Sequence, residues 1–86
     1  MTGSGRSEQI MPALTEVIRR VFRQPTAAVD RETTAMDIDG WDSLSHTMLI
    51  LQVEQRFSVR LPADRVHELD NVGELADLIA EAGERP

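Results

Sequence analysis

The residues able to do chemistry are few and close together. Asp42, Ser43 and His46 lie in the stretch "GWDSLSH", residues 40–46, and His67 stands alone further along. A serine becomes a nucleophile only when a base sits beside it. Positions three apart on a helix are neighbours, so His46 could reach Ser43 if the stretch is helical. Yet there is no G-x-S-x-G elbow and no obvious oxyanion hole, and a chain this short leaves little room for a cleft. No residue is therefore assigned a catalytic role. Two histidines without a cysteine are also a poor basis for a metal site, and none is assigned. Two other readings of Ser43 remain. Asp42 can cap a helix with its carboxylate, leaving Ser43 as the first helical residue with its hydroxyl towards solvent. Alternatively, a helix start, with its free N–H groups and positive dipole end, favours a phosphate, so Ser43 could carry a phosphodiester there. "DSL" alone separates these readings poorly.

The elements that would position these residues must come from a small chain. Eighty-six residues make one domain with much of its surface wet. The 41 % apolar fraction suffices for a core, and with three aromatic residues that core must be aliphatic: Leu, Ile, Val, Met and Ala. A formal charge of −6 argues against nucleic acid and anionic membranes as partners and favours basic proteins. No apolar run reaches a membrane-spanning length, and "MTGSGRSEQI" lacks the apolar stretch of a signal peptide. The expectation is a cytoplasmic monomer.

Residues 1–6 are Gly/Ser-rich and are expected to be flexible, with 7–83 as the folded domain and 84–86 as a tail. From about Ser7 to Phe22, the positions Ile10, Leu14, Val17, Ile18 and Val21 share one helical face. Pro12 suits a helix starting near Met11 better, so that start stays open. Residues 23–41 show no period, and Val29, Met36, Ile38 and Trp41 are expected to pin this long loop to the core. A second helix spans Ser43 to about Phe57, until Pro62 disfavours helix at Leu61. A short helical turn follows, from Pro62 to about Glu68. The last helix starts at "DNVGEL", with Asn71 as cap and Glu74 completing a capping-box pattern. Its apolar face holds Val72, Leu75, Leu78 and Ile79. The fold class is all-α, a small four-helix bundle with three main helices and a short one.

The second helix carries one apolar stripe too many. Leu49, Ile50, Val53 and Phe57 cluster around His46 as the natural core face, whereas Leu44, Met48 and Leu51 form a second stripe roughly opposite. Either the loop 23–41 folds over that stripe, or it is a partner surface rimmed by Glu54 and Gln55.

Taken with "LILQVEQRF", "VRLP" and "DNVGELADLI", the stretch "GWDSLSH" resembles the acyl carrier protein family, over about Ile10 to Ala82. The resemblance implies a four-helix bundle with a short third helix and a 4′-phosphopantetheine arm on Ser43. It implies a non-catalytic carrier that holds acyl groups as thioesters, which explains how a chain without cysteine could do so. It implies a phosphopantetheinyl transferase as partner, followed by acyl-loading and acyl-processing enzymes. Asp42, Leu44, Met48, Leu51 and Glu54 would face these partners. Two departures bear on the pathway. Fatty-acid carriers usually show several acids along this helix, where this chain has Met48, Gln55 and Arg56 with Glu54 nearly alone. Many also have Leu-Gly before the motif, where this chain has Asp39-Gly40. Both suggest polyketide, peptide or modified-lipid synthesis rather than housekeeping fatty-acid synthesis, with recognition more apolar than electrostatic. The alternative is an unmodified helical adaptor that binds through Leu44, Met48 and Leu51.

Overall fold

The computed structural model describes residues 6–83. The expected flexible start and tail therefore lie, apart from Arg6, outside the described residues. Four helices account for the architecture: α1 (Arg6–Val21), α2 (Ser43–Phe57), the short α3 (Ala63–Val66) and α4 (Val72–Gly83). A 3₁₀ turn, Ala35–Asp37, interrupts the long loop between α1 and α2. Among the described residues there is no strand.

Helix α1 packs against both α4 and α2. Leu14, Val17 and Ile18 of α1 meet Leu49, Ile50 and Val53 of α2 and Val72, Leu75, Leu78 and Ile79 of α4 in one buried cluster. Ile10 and Val21 pack against its edge. The core is aliphatic, but the expected methionines do not fill it. Met11 is half-buried at its margin, and Met48 points outward. α1 begins at Arg6 and runs through Pro12, whose ring is exposed. The proline ring thus lies on the outer face of α1, away from the core, and the helix runs through it instead of starting near Met11.

Both long helices ahead of α4 end in a residue held in the left-handed region. At the end of α1, Arg23 has φ 56°, Gln24 N–H donates to Arg19 O at 2.9 Å and Arg23 N–H to Arg20 O at 3.3 Å. At the end of α2, Ser58 has φ 56° and Val59 N–H donates to Glu54 O at 3.1 Å. Each pattern satisfies carbonyls the helix would otherwise leave open. At the start of α4, the Asn71 side-chain oxygen accepts the Glu74 N–H at 2.9 Å, as a cap should. The Glu74 carboxylate reaches back one residue further than the simple pattern, to the N–H of Asp70 at 2.9 Å.

The loop 23–41 is anchored at Ile38, which is buried, and at Val29 and Trp41, which pack against the core. Met36 does not join them. At 95 % exposure it points into solvent, because the turn that carries it is set by polar groups: Asp37 Oδ2 accepts the Thr34 N–H at 2.9 Å. Nor does the loop cover the second stripe of α2. Its residues Arg31 and Thr33 are drawn instead to the start of α4, where their carbonyl oxygens accept the N–H groups of Gly73 and Val72, each at 2.8 Å. Buried Thr33 keeps its hydroxyl satisfied by the Asp30 N–H at 2.9 Å.

Candidate functional site

Ser43 is exposed at the first position of α2. What places it there is local. Gly40 has φ +89°, a conformation that suits glycine, and it turns the chain so that Trp41 packs inward and Asp42 faces the helix start. Asp42 is the N-cap: its Oδ1 accepts the Ser45 N–H at 2.9 Å. That bond, ahead of smaller contributions from neighbouring groups, holds the Asp42 carboxyl below its ordinary value of 3.8. The carboxylate thus lies on the same helix end as the Ser43 hydroxyl.

His46 does not serve that hydroxyl. The Trp41 indole Nε1–H donates to His46 Nδ1 at 3.0 Å. An indole nitrogen can only donate, so Nδ1 must be the acceptor. The other ring nitrogen lies 2.7 Å from the Val66 carbonyl oxygen, which can only accept. His46 is therefore the neutral Nε2–H tautomer, with both nitrogens committed, and it has none left to activate Ser43. Its place is half-buried on the core side of α2, where it ties Trp41 before the helix to Val66 at the end of α3. A column of rings reinforces the tie: Phe22 stacks on Trp41 with centroids 5.0 Å apart, Trp41 on His46 at 6.1 Å, and His46 faces His67 at 6.1 Å. Sequence reasoning missed the Trp41–His46 pair, although a signal was present. With Asp42 as cap, Trp41 and His46 occupy the two positions that pack together in a hydrophobic staple.

The second stripe of α2 is open. Leu44 is 72 % exposed, and Met48 and Leu51 are each 53 % exposed. At 3.6 residues per turn the three lie within about 60° of one another, with Gln55 inside the same arc. Glu54 sits to one side. It is half-buried, and its Oε2 accepts the Leu61 N–H at 2.8 Å, so one carboxylate oxygen is committed to holding the α2–α3 connection.

Beside Ser43 runs an open groove of about 310 Å³, bordered by Trp41, His46, Thr47, Val66, His67 and Leu69. An exposed serine hydroxyl at a helix start, with a groove alongside, can accept a phosphodiester-linked group and give it a bed; without a base it is poorly equipped for hydrolysis. The donor set thus fits a covalently attached phosphate arm.

Comparison with known proteins gives a consistent picture. Residues 12–79 match the family described as "Phosphopantetheine attachment site". The chain is 39 % identical over 75 residues to an acyl carrier protein of Acidothermus cellulolyticus, an alignment covering 87 % of this chain and 89 % of that one. It is 31 % identical over 72 residues to the acyl carrier protein MbtL of Mycobacterium sp. (strain MCS), covering 84 % of this chain and 81 % of that one. Among solved structures, a holo acyl carrier protein from Geobacter metallireducens superposes with a TM-score of 0.77 at 38 % identity, over 91 % of this chain and 85 % of that one. A hexanoyl carrier protein from the actinorhodin polyketide synthase of Streptomyces coelicolor does so with a TM-score of 0.57 at 30 % identity, over 74 % and 83 % of the two chains.

Proposed function

We propose, from the premise that this chain belongs to the acyl carrier protein family, that Ser43 is its point of attachment for 4′-phosphopantetheine. The observation that carries the assignment is the exposed Ser43 at the first position of α2, directly after the Asp42 cap. In a phosphopantetheinyl transferase, the Ser43 hydroxyl would displace 3′,5′-ADP from coenzyme A and lose its proton to the transferase. When bound, the arm supplies the thiol that holds an acyl group as a thioester, a group this cysteine-free chain lacks. The chain's own residues do the rest. Asp42 fixes the helix start, and the positive dipole end of α2 favours the phosphate.

Leu44, Met48 and Leu51 form the face offered to the transferase and to the loading and processing enzymes. Asp42 lies at its serine end and Glu54 at its side. An exposed apolar stripe of this kind supports recognition by burial more than by charge. The polyketide setting of one solved neighbour and the scarcity of acids along α2 support a place in polyketide, peptide or modified-lipid synthesis. Among the described residues no helix is long and apolar enough to cross a membrane, and we place the carrier in the cytoplasm, as a monomer.

The test is intact mass after incubation with coenzyme A and a broad-specificity transferase. The expected gain is one phosphopantetheine, absent in Ser43→Ala. No gain with several competent transferases would refute the assignment and favour an unmodified adaptor that binds through the α2 stripe.

A further inference from the structure

Trp41, His46, Val66 and Leu69 form part of the wall of the groove beside Ser43. Beside it lies a second, smaller cavity of about 80 Å³, which also touches Asp70, Asn71 and Leu75. Ala35, Trp41, His46 and Leu69 border both spaces. The smaller space is about half the ~150 Å³ of an apolar cavity that admits benzene. Behind it, Leu49, Val53, Leu75 and Ile79 are at most 2 % exposed and mutually packed.

The wall does not yield by a simple rotation. If His46 swung away, the Trp41 Nε1–H bond of 3.0 Å and the Val66 carbonyl bond of 2.7 Å would both be lost. Partly buried donors and acceptors left in this way are costly. Trp41 is backed by Phe22, stacked at 5.0 Å, so it cannot retreat towards α1 without breaking that contact. The Val66 carbonyl belongs to α3, so the same bond also holds α3 against α2.

We infer that the hydrogen-bonded chain Trp41–His46–Val66 is a latch that keeps cargo out of the helix bundle, and that this carrier is built for short or polar acyl groups lying in the open groove rather than for long alkyl chains between its helices. The inference rests on Ser43 as the attachment point. The groove suits such cargo, because it sets polar side chains, His67 and Thr47, beside the faces of Trp41 and Leu69. A long alkyl chain left there would stay largely in water, which apolar groups disfavour.

The test loads the full chain at Ser43 from acetyl-coenzyme A and, separately, from octanoyl-coenzyme A. Intact mass verifies loading, and methyl NMR follows Leu49, Val53, Leu75 and Ile79. The expected result is that these core methyl resonances coincide in the acetyl and octanoyl forms, with changes confined to the groove, notably the Trp41 indole and Thr47. In His46→Ala the latch is removed, and the octanoyl form should then shift the Leu75 and Ile79 methyls while the acetyl form does not. Should His46→Ala fail to fold, Trp41→Phe keeps a ring against Phe22 and drops only the indole donor, and the same contrast is expected in weaker form. Core methyl shifts in the octanoyl wild type relative to its acetyl form would overturn the latch while leaving the carrier assignment intact. Absence of any loading would overturn the assignment itself, and the latch with it.

Discussion

The Gly73 N–H donates to the Arg31 carbonyl oxygen at 2.8 Å, and a Cβ on Gly73 would stand 2.9 Å from that same oxygen and 2.9 Å from the Arg31 Cβ. The loop before α2 is thus laid directly on the start of α4, closer than any side chain at position 73 permits. In an ordinary helix, Gly→Ala gains roughly 0.5–1 kcal/mol. Here the added methyl meets backbone, and Gly73→Ala should instead destabilise by about 1–3 kcal/mol. Urea denaturation gives the sign. The neighbouring pair of Arg31 with Asp77, 2.9 Å apart but half-exposed, should matter less, with Asp77→Ala costing about 0–1 kcal/mol.

Ser58 ends α2 at φ 56°, where a Cβ is unfavourable by about 1–2 kcal/mol. Glycine removes that strain but loses roughly 0.5–1 kcal/mol of chain entropy. Ser58→Gly should therefore stabilise by about 0–1.5 kcal/mol, the difference of the two effects. Thermal unfolding should show a higher Tm.

Asp42 has a carboxyl pKa lowered by the Ser45 N–H. A group more acidic when folded contributes stability above its unfolded value and loses it as pH falls through the folded one. The cap should therefore stay intact from neutral pH down to about the ordinary 3.8 and weaken only below it. The Ser45 amide resonance should titrate with a midpoint under 3.8. In Asp42→Asn, which keeps a capping oxygen, that titration should vanish. A Ser45 midpoint above the ordinary value would contradict the capping geometry.

Met48 and Glu54 should separate cleanly between binding and folding. Met48 is 53 % exposed, so truncating it should leave stability nearly unchanged. Fully burying such a side chain is worth roughly 1.5–3 kcal/mol, and covering its exposed half in a complex about half of that. Met48→Ala should weaken the transferase complex accordingly, by calorimetry, with only a modest dependence on salt. Glu54→Ala should chiefly destabilise the fold, by about 1–3 kcal/mol, because the Leu61 N–H loses its acceptor. A complex that Met48→Ala leaves unchanged, or that collapses with added salt, would mean the face is read by charge.

The parts of this molecule legible in sequence are those whose causes are local. α2 and α4 start where Asp42 and Asn71 stand, because a capping side chain and the amide it satisfies are three residues apart. The core faces of α1, α2 and α4 follow from periodicity. Ser43 at the mouth of α2 followed from the Asp42 cap and the apolar run behind it. The path of the loop did not. The partners of the Arg31 and Thr33 carbonyls lie about forty residues away at Gly73 and Val72, and no local pattern marks a bare carbonyl. Met36 misled for the same reason: hydrophobicity suggested an anchor, but Thr34 and Asp37 fix the turn that turns it outward. Glu54 looked like a surface acid because nothing near it in sequence shows that the chain returns to it at Leu61.

Trp41 is the chain's single tryptophan, and there is no tyrosine. Its indole stacks on Phe22, is hydrogen-bonded to His46 and borders the groove beside Ser43. Tryptophan emission from this protein therefore comes from one known place. Loss of the Phe22 stack, release of His46 and arrival of a group at Ser43 each alter the surroundings of the same fluorophore. The molecule holds its own optical reporter at the junction of α1 and α2, and no label need be added to the exposed stripe of α2 to watch it.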